Sequence, residues 1–422
     1  MTVIGLDDTD SSELGMCTTF AATRLAEDIA AAGGAVERVL LVRLNPAVEH
    51  KTRGNAALAV HTAIGSAQAR TLARDVLELA ATEDDRTNPG AVVADCDPES
   101  VPEAVADFAA DAVHDHHDRE TAREVAADAG FWTERRGNGR GIIGALAAVG
   151  AWRAFDEWTH ECISYREESR WGTDREVDYD SVFAAADGGY PEVWDTVDRG
   201  ENAAVCVPRT PCPILHGIRG DDSEVVEDVA RQIESEPVPR RQLFVTNQGT
   251  DAHLRDAALE DVRDGRAYRV TARVSDPPDT YEGGHVFLTL EGDNSGELRA
   301  AAFEPTKRFR DRVRSLRPGD EITACGEVSD GTLKLEKFAV RDLMRTEPVT
   351  PDCPACGRSM KSAGADAGYR CRDCGTNADG KVEQPVDRDL EEGWYEVPPC
   401  ARRHIAKPLV RGGFDAATHP ER

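Results

Sequence analysis

The chain has 422 residues and a formal net charge of -28, and 40% of its residues are hydrophobic. That apolar fraction is enough for packed cores, and the length predicts roughly three or four domains. No apolar run reaches the ~18 residues that a membrane-spanning helix needs, and no signal peptide precedes the first strand, so we expect a cytoplasmic protein without a membrane partner.

The positive charges of this acidic chain are carried far more often by arginine than by lysine. Such a surface is typical of proteins from salt-accumulating archaea, so the net charge reflects the solvent and does not exclude a nucleic-acid partner. High salt weakens the electrostatic drive for RNA binding. Recognition of RNA would then depend on stacking, bidentate arginines and shape.

Residues 2–6 are apolar and rich in β-branched side chains, which predicts a buried strand at the start of the chain. Three carboxylates follow it closely, those of Asp7, Asp8 and Asp10. Like charges so close raise one another's pKa unless a cation neutralises them, and Mg²⁺ does this with carboxylates, waters and the phosphates of a nucleotide. We expect a magnesium and phosphate site here; the alternative is a turn that only caps the next helix.

The helix predicted over residues 16–32 begins just behind these carboxylates. Thr18 and Thr19 fall near its start, where free backbone N–H groups and the helix dipole favour a phosphate. Metal, phosphate and hydroxyl are therefore expected to meet in one place.

Two further segments have the composition of phosphate-binding loops. Lys51 and Arg53 combine two positive charges beside a glycine, which suits a phosphate, although a solvated hairpin loop is the alternative. Gly139, Gly141 and Gly144 allow a close backbone approach before a helix whose N-terminus would face a phosphate. A plain connection explains this second loop equally well.

The order of predicted elements divides the chain into four domains of α/β and α+β class. Residues 1–130 alternate strands and helices in the α/β manner. Residues 131–265 follow the order β-α-β-β-α-β of ferredoxin-like folds, with a helix over 181–197 and a strand over 203–209. Residues 266–346 offer five strands with an arginine-rich helix between the third and fourth, which indicates an OB-fold barrel, either a nucleic-acid binder or a structural module.

Residues 347–422 contain two Cys-x-x-Cys pairs, Cys353 with Cys356 and Cys371 with Cys374. This spacing predicts a C-terminal zinc ribbon with a tetrahedral Zn²⁺, and four thiolates leave no open position for catalysis. The tail at residues 398–408 is basic against the acidic background and is a candidate RNA contact.

Eight strings of the chain, in this order, resemble the archaeal agmatinylcytidine synthetase family that modifies an isoleucine tRNA. They lie at residues 5–11, 15–19, 43–46, 51–55, 87–91, 140–146, 246–253 and 303–307. The resemblance covers nearly the whole chain, including the order of a kinase-like domain, a ferredoxin-like domain, an OB-fold and a zinc ribbon.

The resemblance implies an ATP-dependent ligase that replaces the 2-oxo group of the wobble cytidine of the isoleucine tRNA with agmatine, through a phosphorylated cytidine. The CAU anticodon of that tRNA would then read AUA. It further implies that Asp7, Asp8 and Asp10 hold Mg²⁺ and the triphosphate of ATP, and that Thr18 is phosphorylated during the reaction, with Thr19 as the alternative. The OB-fold, ribbon and tail would hold the tRNA and unstack its anticodon. No protein partner is evident.

Two other functions compete with this interpretation. Asp8-Thr9-Asp10 after an apolar strand imitates the nucleophile motif of haloacid-dehalogenase phosphohydrolases, although the residues expected next are replaced by Ser11, Ser12 and Glu13. A nucleic-acid-binding protein without chemistry would explain the OB and zinc modules. It would leave the carboxylate loop without a role.

Overall fold

The structure is a computed structural model that describes residues 1–11, 13, 15–49, 51, 54–294, 296–364 and 367–422. The predicted phosphate ligand Arg53 lies outside the described residues. No helix in these ranges is long and apolar enough to cross a membrane.

The first part of the chain forms five strands and five helices. They are β1 (Thr2–Asp7), α1 (Thr18–Ala31), β2 (Val36–Arg43), β3 (Ala56–Thr62), α2 (Ser66–Leu77), β4 (Gly90–Ala94), α3 (Glu103–His114), α4 (Arg119–Asp128), β5 (Trp132–Arg135) and α5 (Ile142–Ala154). Helices α1 and α2 pack on one face of the sheet, and α3, α4 and α5 pack on the other.

Strand β1 lies in the middle of this unit, antiparallel to β3 on one side and to β4 on the other. Helix α5 crosses it very closely, because Gly5 has no side chain. A Cβ atom at Gly5 would lie 2.0 Å from the carbonyl oxygen of Ala145. This close approach fixes the start of α5 next to the carboxylates that follow β1.

The second part of the chain extends the same sheet. Its elements are β6 (Thr159–Tyr165), α6 (Tyr179–Gly189), β7 (Val193–Trp194), β8 (Val197–Asp198), β9 (Ala203–Ala204), β10 (Ile214–Gly220), α7 (Ser223–Gln232) and β11 (Arg240–Thr246). Strand β11 pairs in parallel with β2 and gives a nine-stranded sheet in the order β5-β4-β1-β3-β2-β11-β6-β10-β7. The pairing directions place the carboxyl ends of β1, β2, β10 and β11 at one edge of the sheet.

Two predicted elements of this part are wrong in extent. The helix expected over 181–197 ends at Gly189, before Pro191, because proline has no N–H to donate and its ring clashes with the preceding turn. The strand expected over 203–209 is reduced to Ala203–Ala204. The order of the larger elements, β6-α6-β10-α7-β11, still follows the predicted pattern.

The third part forms the predicted five-stranded closed barrel. Its elements are β12 (Leu254–Asp256), β13 (Arg266–Val274), β14 (Asp279–Thr280), β15 (Val286–Glu291), β16 (Glu297–Ala302), α8 (Phe309–Arg314), β17 (Glu321–Ser329) and β18 (Thr332–Asp342). The barrel closes in the order β13-β15-β16-β18-β17, with β17 paired back to β13. Helix α8 lies between the third and fourth barrel strands, which confirms the OB-fold prediction.

The last part contains the ribbon and a segment that returns to the barrel. Its strands are β19 (Thr346–Val349), β20 (Lys361–Ser362), β21 (Tyr369–Arg370), β22 (Asn377–Ala378), β23 (Val382–Pro385), β24 (Gly393–Glu396) and β25 (Thr418–His419). Strand β24 pairs with β18, and β25 pairs with β24. Within the basic tail, Arg402 is 9% exposed and ion-paired to Asp195 and Glu396, so Arg402 itself is not available as a surface RNA contact.

Candidate active site

A cavity of about 620 Å³ opens where β1 and β2 end, and it extends along β10, of which Ile214, Gly217 and Arg219 line it. Its wall contains seven of the residues predicted to form the phosphate and metal site: Asp7, Asp8, Asp10, Thr18, Thr19, Lys51 and Gly144. The carboxylate loop, the start of α1 and the start of α5 therefore meet around one space.

The carboxylates are held in place by the turn at the end of β1 and by an arginine. Asp8 has a φ of 57°, a left-handed conformation that turns the chain sharply. Its Oδ2 accepts hydrogen bonds from Nε and Nη2 of Arg140 at 3.1 and 2.9 Å. Arg140 precedes α5, so the packing of that helix against Gly5 sets the position of this contact.

The electrostatics of the loop favour an added cation. Burial raises the pKa of Asp7 well above its ordinary value, and the neighbouring Asp8 raises it further. Burial likewise raises the pKa of Asp8 to about 7, against the opposing effect of Arg140. A bound cation would offset this cost of burial and favour the charged forms of Asp7 and Asp8.

The donor atoms at this loop fit Mg²⁺, which prefers oxygen ligands and typically takes one or two carboxylates besides water and phosphate. The carboxylate oxygens of Asp7, Asp8 and Asp10 do not all lie within 4.8 Å of one another, whereas the thiol sulfurs of the ribbon cysteines described below do. One or two of these carboxylates would hold the ion, which would neutralise the charge of a bound phosphate.

The two candidate threonines have different surroundings. Helix α1 begins at Thr18. The Oγ1 of Thr18 donates to Oδ1 of Asp10 over a long distance of 3.5 Å. The hydroxyl of Thr19 instead lies 3.1 Å from Sγ of Cys17. The Thr18 hydroxyl is thus the one oriented towards the carboxylate loop.

The second predicted phosphate-binding loop contains Gly139, Gly141 and Gly144, and only Gly144 lies in the cavity wall. A Cβ atom at Gly144 would lie 2.1 Å from Oδ2 of Asp7, so a side chain there would collide with a carboxylate of the site. Gly141 packs against Gly90, and its N–H donates to the carbonyl of Asn88. Gly141 and Gly139 are not among the residues that line the cavity.

Lys51 lines the same cavity and precedes β3 in the chain. Its Nζ donates to the carbonyl of Pro46, and the residue is exposed. The ammonium group is therefore accessible to a ligand in the cavity.

Sequence reasoning missed a polar network at the other end of the cavity. Nε and Nη2 of Arg43 donate to Oε1 of Gln248 at 3.0 and 2.9 Å, and Nε2 of Gln248 donates to Glu161. Nε of Arg219 donates to Oε1 of Glu161 at 3.2 Å. Strands β6 and β10 bring Glu161 and Arg219 opposite each other, 58 residues apart in the chain, so local pattern could not reveal the pair.

His404 was also missed as a site residue. It lines the same cavity, although it comes from the segment that follows the ribbon. The only indication in the sequence was its place in the basic tail, which was interpreted as an RNA contact.

The ribbon cysteines are arranged for a metal. The Sγ atoms of Cys353, Cys356, Cys371 and Cys374 all lie within 4.8 Å of one another. Neighbouring pairs are 3.3, 3.5 and 3.8 Å apart, close to the ~3.8 Å edge of a tetrahedron with Zn–S bonds of about 2.3 Å. Although burial opposes it, backbone N–H groups of Ala355 and Cys356 help to lower the pKa of Cys353 to about 6, which favours the thiolate.

These features define a class of protein: a multidomain enzyme in which an α/β unit with a carboxylate-lined cavity is joined to an OB-fold barrel and a zinc ribbon. Models of the TiaS TCKD domain, the TiaS FLD domain and the TiaS C-terminal zinc ribbon domain match residues 3–74, 139–253 and 350–390. The chain belongs to the TiaS family.

Full-length relatives support this assignment. The 2-agmatinylcytidine synthetase TiaS of Haloquadratum walsbyi, which is named for an isoleucine tRNA, is 53% identical, with 100% of each chain covered. The protein of the same name from Methanosarcina acetivorans is 45% identical, with 97% of each chain covered.

Solved structures of the family have the same fold. A complex of TiaS with its isoleucine tRNA and ATP matches with a TM-score of 0.91 and 40% identity, covering 100% of this chain and 99% of that one. A complex of TiaS with the same tRNA, AMPCPP and agmatine matches with a TM-score of 0.88 and 38% identity, at the same coverage.

Proposed function

We propose that this chain is an ATP-dependent ligase that conjugates agmatine to carbon 2 of the wobble cytidine of an isoleucine tRNA, so that its CAU anticodon reads AUA. The observation that carries the proposal is full-length similarity to TiaS structures with the isoleucine tRNA, an ATP analogue and agmatine. A phosphohydrolase or a binding protein without chemistry does not account for that combination of ligands. The working compartment is the cytoplasm, where the tRNA is available.

At one end of the cavity, Asp7, Asp8 and Asp10 hold Mg²⁺ and the triphosphate of ATP. Mg²⁺ there neutralises phosphate charge during phosphoryl transfer. Thr18, whose hydroxyl faces Asp10, is the threonine that receives a phosphate, in preference to Thr19. Lys51, which lines the same cavity, contacts the phosphates.

Phosphoryl transfer to the cytidine makes the conjugation possible. The 2-oxo group is a poor leaving group, and a phosphate on its oxygen converts it into a good one. The amine of agmatine then attacks carbon 2, and phosphate departs with the oxygen. Strands β1 and β2 flank β3, so their ends are about 10 Å apart, which leaves room for a nucleobase between the carboxylates and Arg43.

The barrel offers a surface for unstacked bases of the tRNA. Tyr281 is 52% exposed, and its ring lies 5.0 Å from that of Phe287. The guanidinium of Arg299 lies 4.0 Å above the ring of Phe287. Base stacking on such rings is worth about 1–3 kcal/mol per base. This cluster favours a nucleic-acid binder over a structural module.

The proposal assigns a role to each of four domains. Residues 1–130 bind the nucleotide, and residues 131–265 complete the cavity. Residues 266–346 form the barrel, and residues 347–422 form the ribbon and the returning tail. Strand β5 and helix α5 pack on the first unit, although they follow residue 130. The halophilic character inferred from composition stays a prediction.

Incubation of the protein with ATP, agmatine and an unmodified transcript of the isoleucine tRNA tests the function. Nucleoside mass analysis should find agmatidine at the wobble position, with no product when any one substrate is omitted. Hydrolysis of ATP without change to the cytidine, or tRNA binding without ATP turnover, would overturn the proposal.

A further inference from the structure

The backbone around His404 is fixed in the region where the loop after β11, the barrel and the first α/β unit meet. Its carbonyl accepts the N–H of Gly249 at 2.9 Å. On one side, Arg403 forms ion pairs with Glu327 and Glu336 of the barrel. These contacts fix the segment to the barrel and to the loop after β11.

The residue after His404 anchors the segment in the first unit. Ile405 is 3% exposed and belongs to the core beneath α3 and α5. Its carbonyl accepts the N–H of Asp251 at 3.1 Å, and the Asp251 carboxylate accepts the N–H of Lys407 at 2.6 Å. Asp251 also binds Nζ of Lys337 in the barrel at 2.7 Å. The turn is therefore rigid, and it holds the His404 side chain out into the cavity.

The imidazole of His404 is exposed within the cavity wall. Gly54 makes room for it: a Cβ atom at Gly54 would lie 3.1 Å from Cδ2 of His404 and 2.6 Å from Nη1 of Arg43. Within the described part of the chain, no hydrogen bond is formed by either ring nitrogen. The ring thus lies among polar groups of the cavity wall and has no hydrogen-bonding partner within the described residues.

Charged groups around the ring keep it neutral. The charge of Arg219 from β10 holds the pKa of His404 well below its usual range, and the partial enclosure of the ring by the cavity wall and the charge of Arg43 from β2 lower it further. Glu161 from β6 lies beside them but is bonded to Arg219 and Gln248. A neutral imidazole can accept a proton, and the phosphates of bound ATP and tRNA would offset the two guanidinium charges and increase its basicity.

We propose that His404 is the base of the conjugation step: it takes a proton from the ammonium form of the primary amine of agmatine, and the lone pair that this frees bonds to carbon 2 of the activated cytidine. The inference rests on the proposed function. The C2–O bond breaks, its electron pair leaves with phosphate, and the proton stays on His404 until it passes to the departing phosphate or to water. The flanking guanidinium groups favour that release.

The test compares wild type, His404→Ala and His404→Gln in single turnover with the isoleucine tRNA, ATP and agmatine, between about pH 6 and 10. In both variants, phosphorylation of the cytidine should stay near the wild-type rate. Conjugation should fall by roughly 10²-fold or more, within the usual contribution of a general base. His419→Ala is the matched control, because this histidine is in the same segment but stacks on Tyr395 and does not line the cavity.

The pH profile separates a base from a merely structural residue. Wild-type conjugation should level off once His404 is neutral. Conjugation by the variants should keep rising about tenfold per pH unit towards the pKa of the free amine, about 10 by analogy with lysine. Variant profiles parallel to wild type, normal conjugation, or equal loss of both steps would overturn the inference. Absence of agmatidine with wild type would instead overturn the proposed function.

Discussion

Replacement of Gly144 by alanine tests how strongly the rate of agmatidine formation depends on the position of the Asp7 carboxylate. The new Cβ atom would lie 2.1 Å from Oδ2 of Asp7, whereas real Cβ contacts are essentially never below 3.0 Å, so the carboxylate must move by about 0.9 Å. A displacement near 1 Å in a catalytic group costs about 10²-fold in rate. We therefore expect agmatidine formation to fall roughly 100-fold in Gly144→Ala.

Stability and activity are separated by a matched variant and a melting curve. Alanine is favoured over glycine inside a helix by about 1 kcal/mol, which offsets part of the strain, so the midpoint of thermal unfolding should change little. Gly65→Ala is the control, since a Cβ atom there has no atom within 4 Å, and it should retain wild-type activity. Wild-type agmatidine formation by Gly144→Ala would refute the claim that the position of Asp7 matters.

Three further predictions concern the ribbon, the barrel and the returning tail. Cys356→Ser should release zinc, measured by metal analysis, and weaken tRNA binding while ATP binding persists; a zinc-free protein with normal tRNA affinity would contradict it. Tyr281→Ala should weaken tRNA binding about tenfold in a filter assay, unlike the equally exposed Tyr179→Ala, and equal effects would count against stacking. Arg402→Ala leaves Asp195 buried without its partner and should lower the free energy of unfolding in urea by about 3–5 kcal/mol, and an unchanged midpoint would disprove this.

Local pattern was sufficient for most elements of the fold. The barrel strands were predictable because inward and outward side chains alternate, as in β13, and the ribbon because its cysteine spacing is set by the geometry of zinc. The helix that ends at Gly189 was overextended because the apolar pattern continues past Pro191, where the backbone cannot remain helical.

The assembly of the cavity depended on contacts between distant parts of the chain. The carboxylates of Asp7 and Asp8 were found because they follow a strand directly. The parallel pairing of β2 with β11 joins segments far apart in the chain, and no local period encodes it. His404 reaches the cavity only because the segment after the ribbon returns to the barrel, so its role could not be inferred without the structure.

The central claim is that the carboxylate loop behind β1 holds the metal and triphosphate used to activate the cytidine. It is tested most directly by a crystal structure with a non-hydrolysable ATP analogue and Mn²⁺, which replaces Mg²⁺ and gives an anomalous signal. The account predicts an anomalous peak that bridges the triphosphate to one or two of Asp7, Asp8 and Asp10, near the Thr18 hydroxyl. A nucleotide bound elsewhere in the protein, with this loop free of metal, would contradict it.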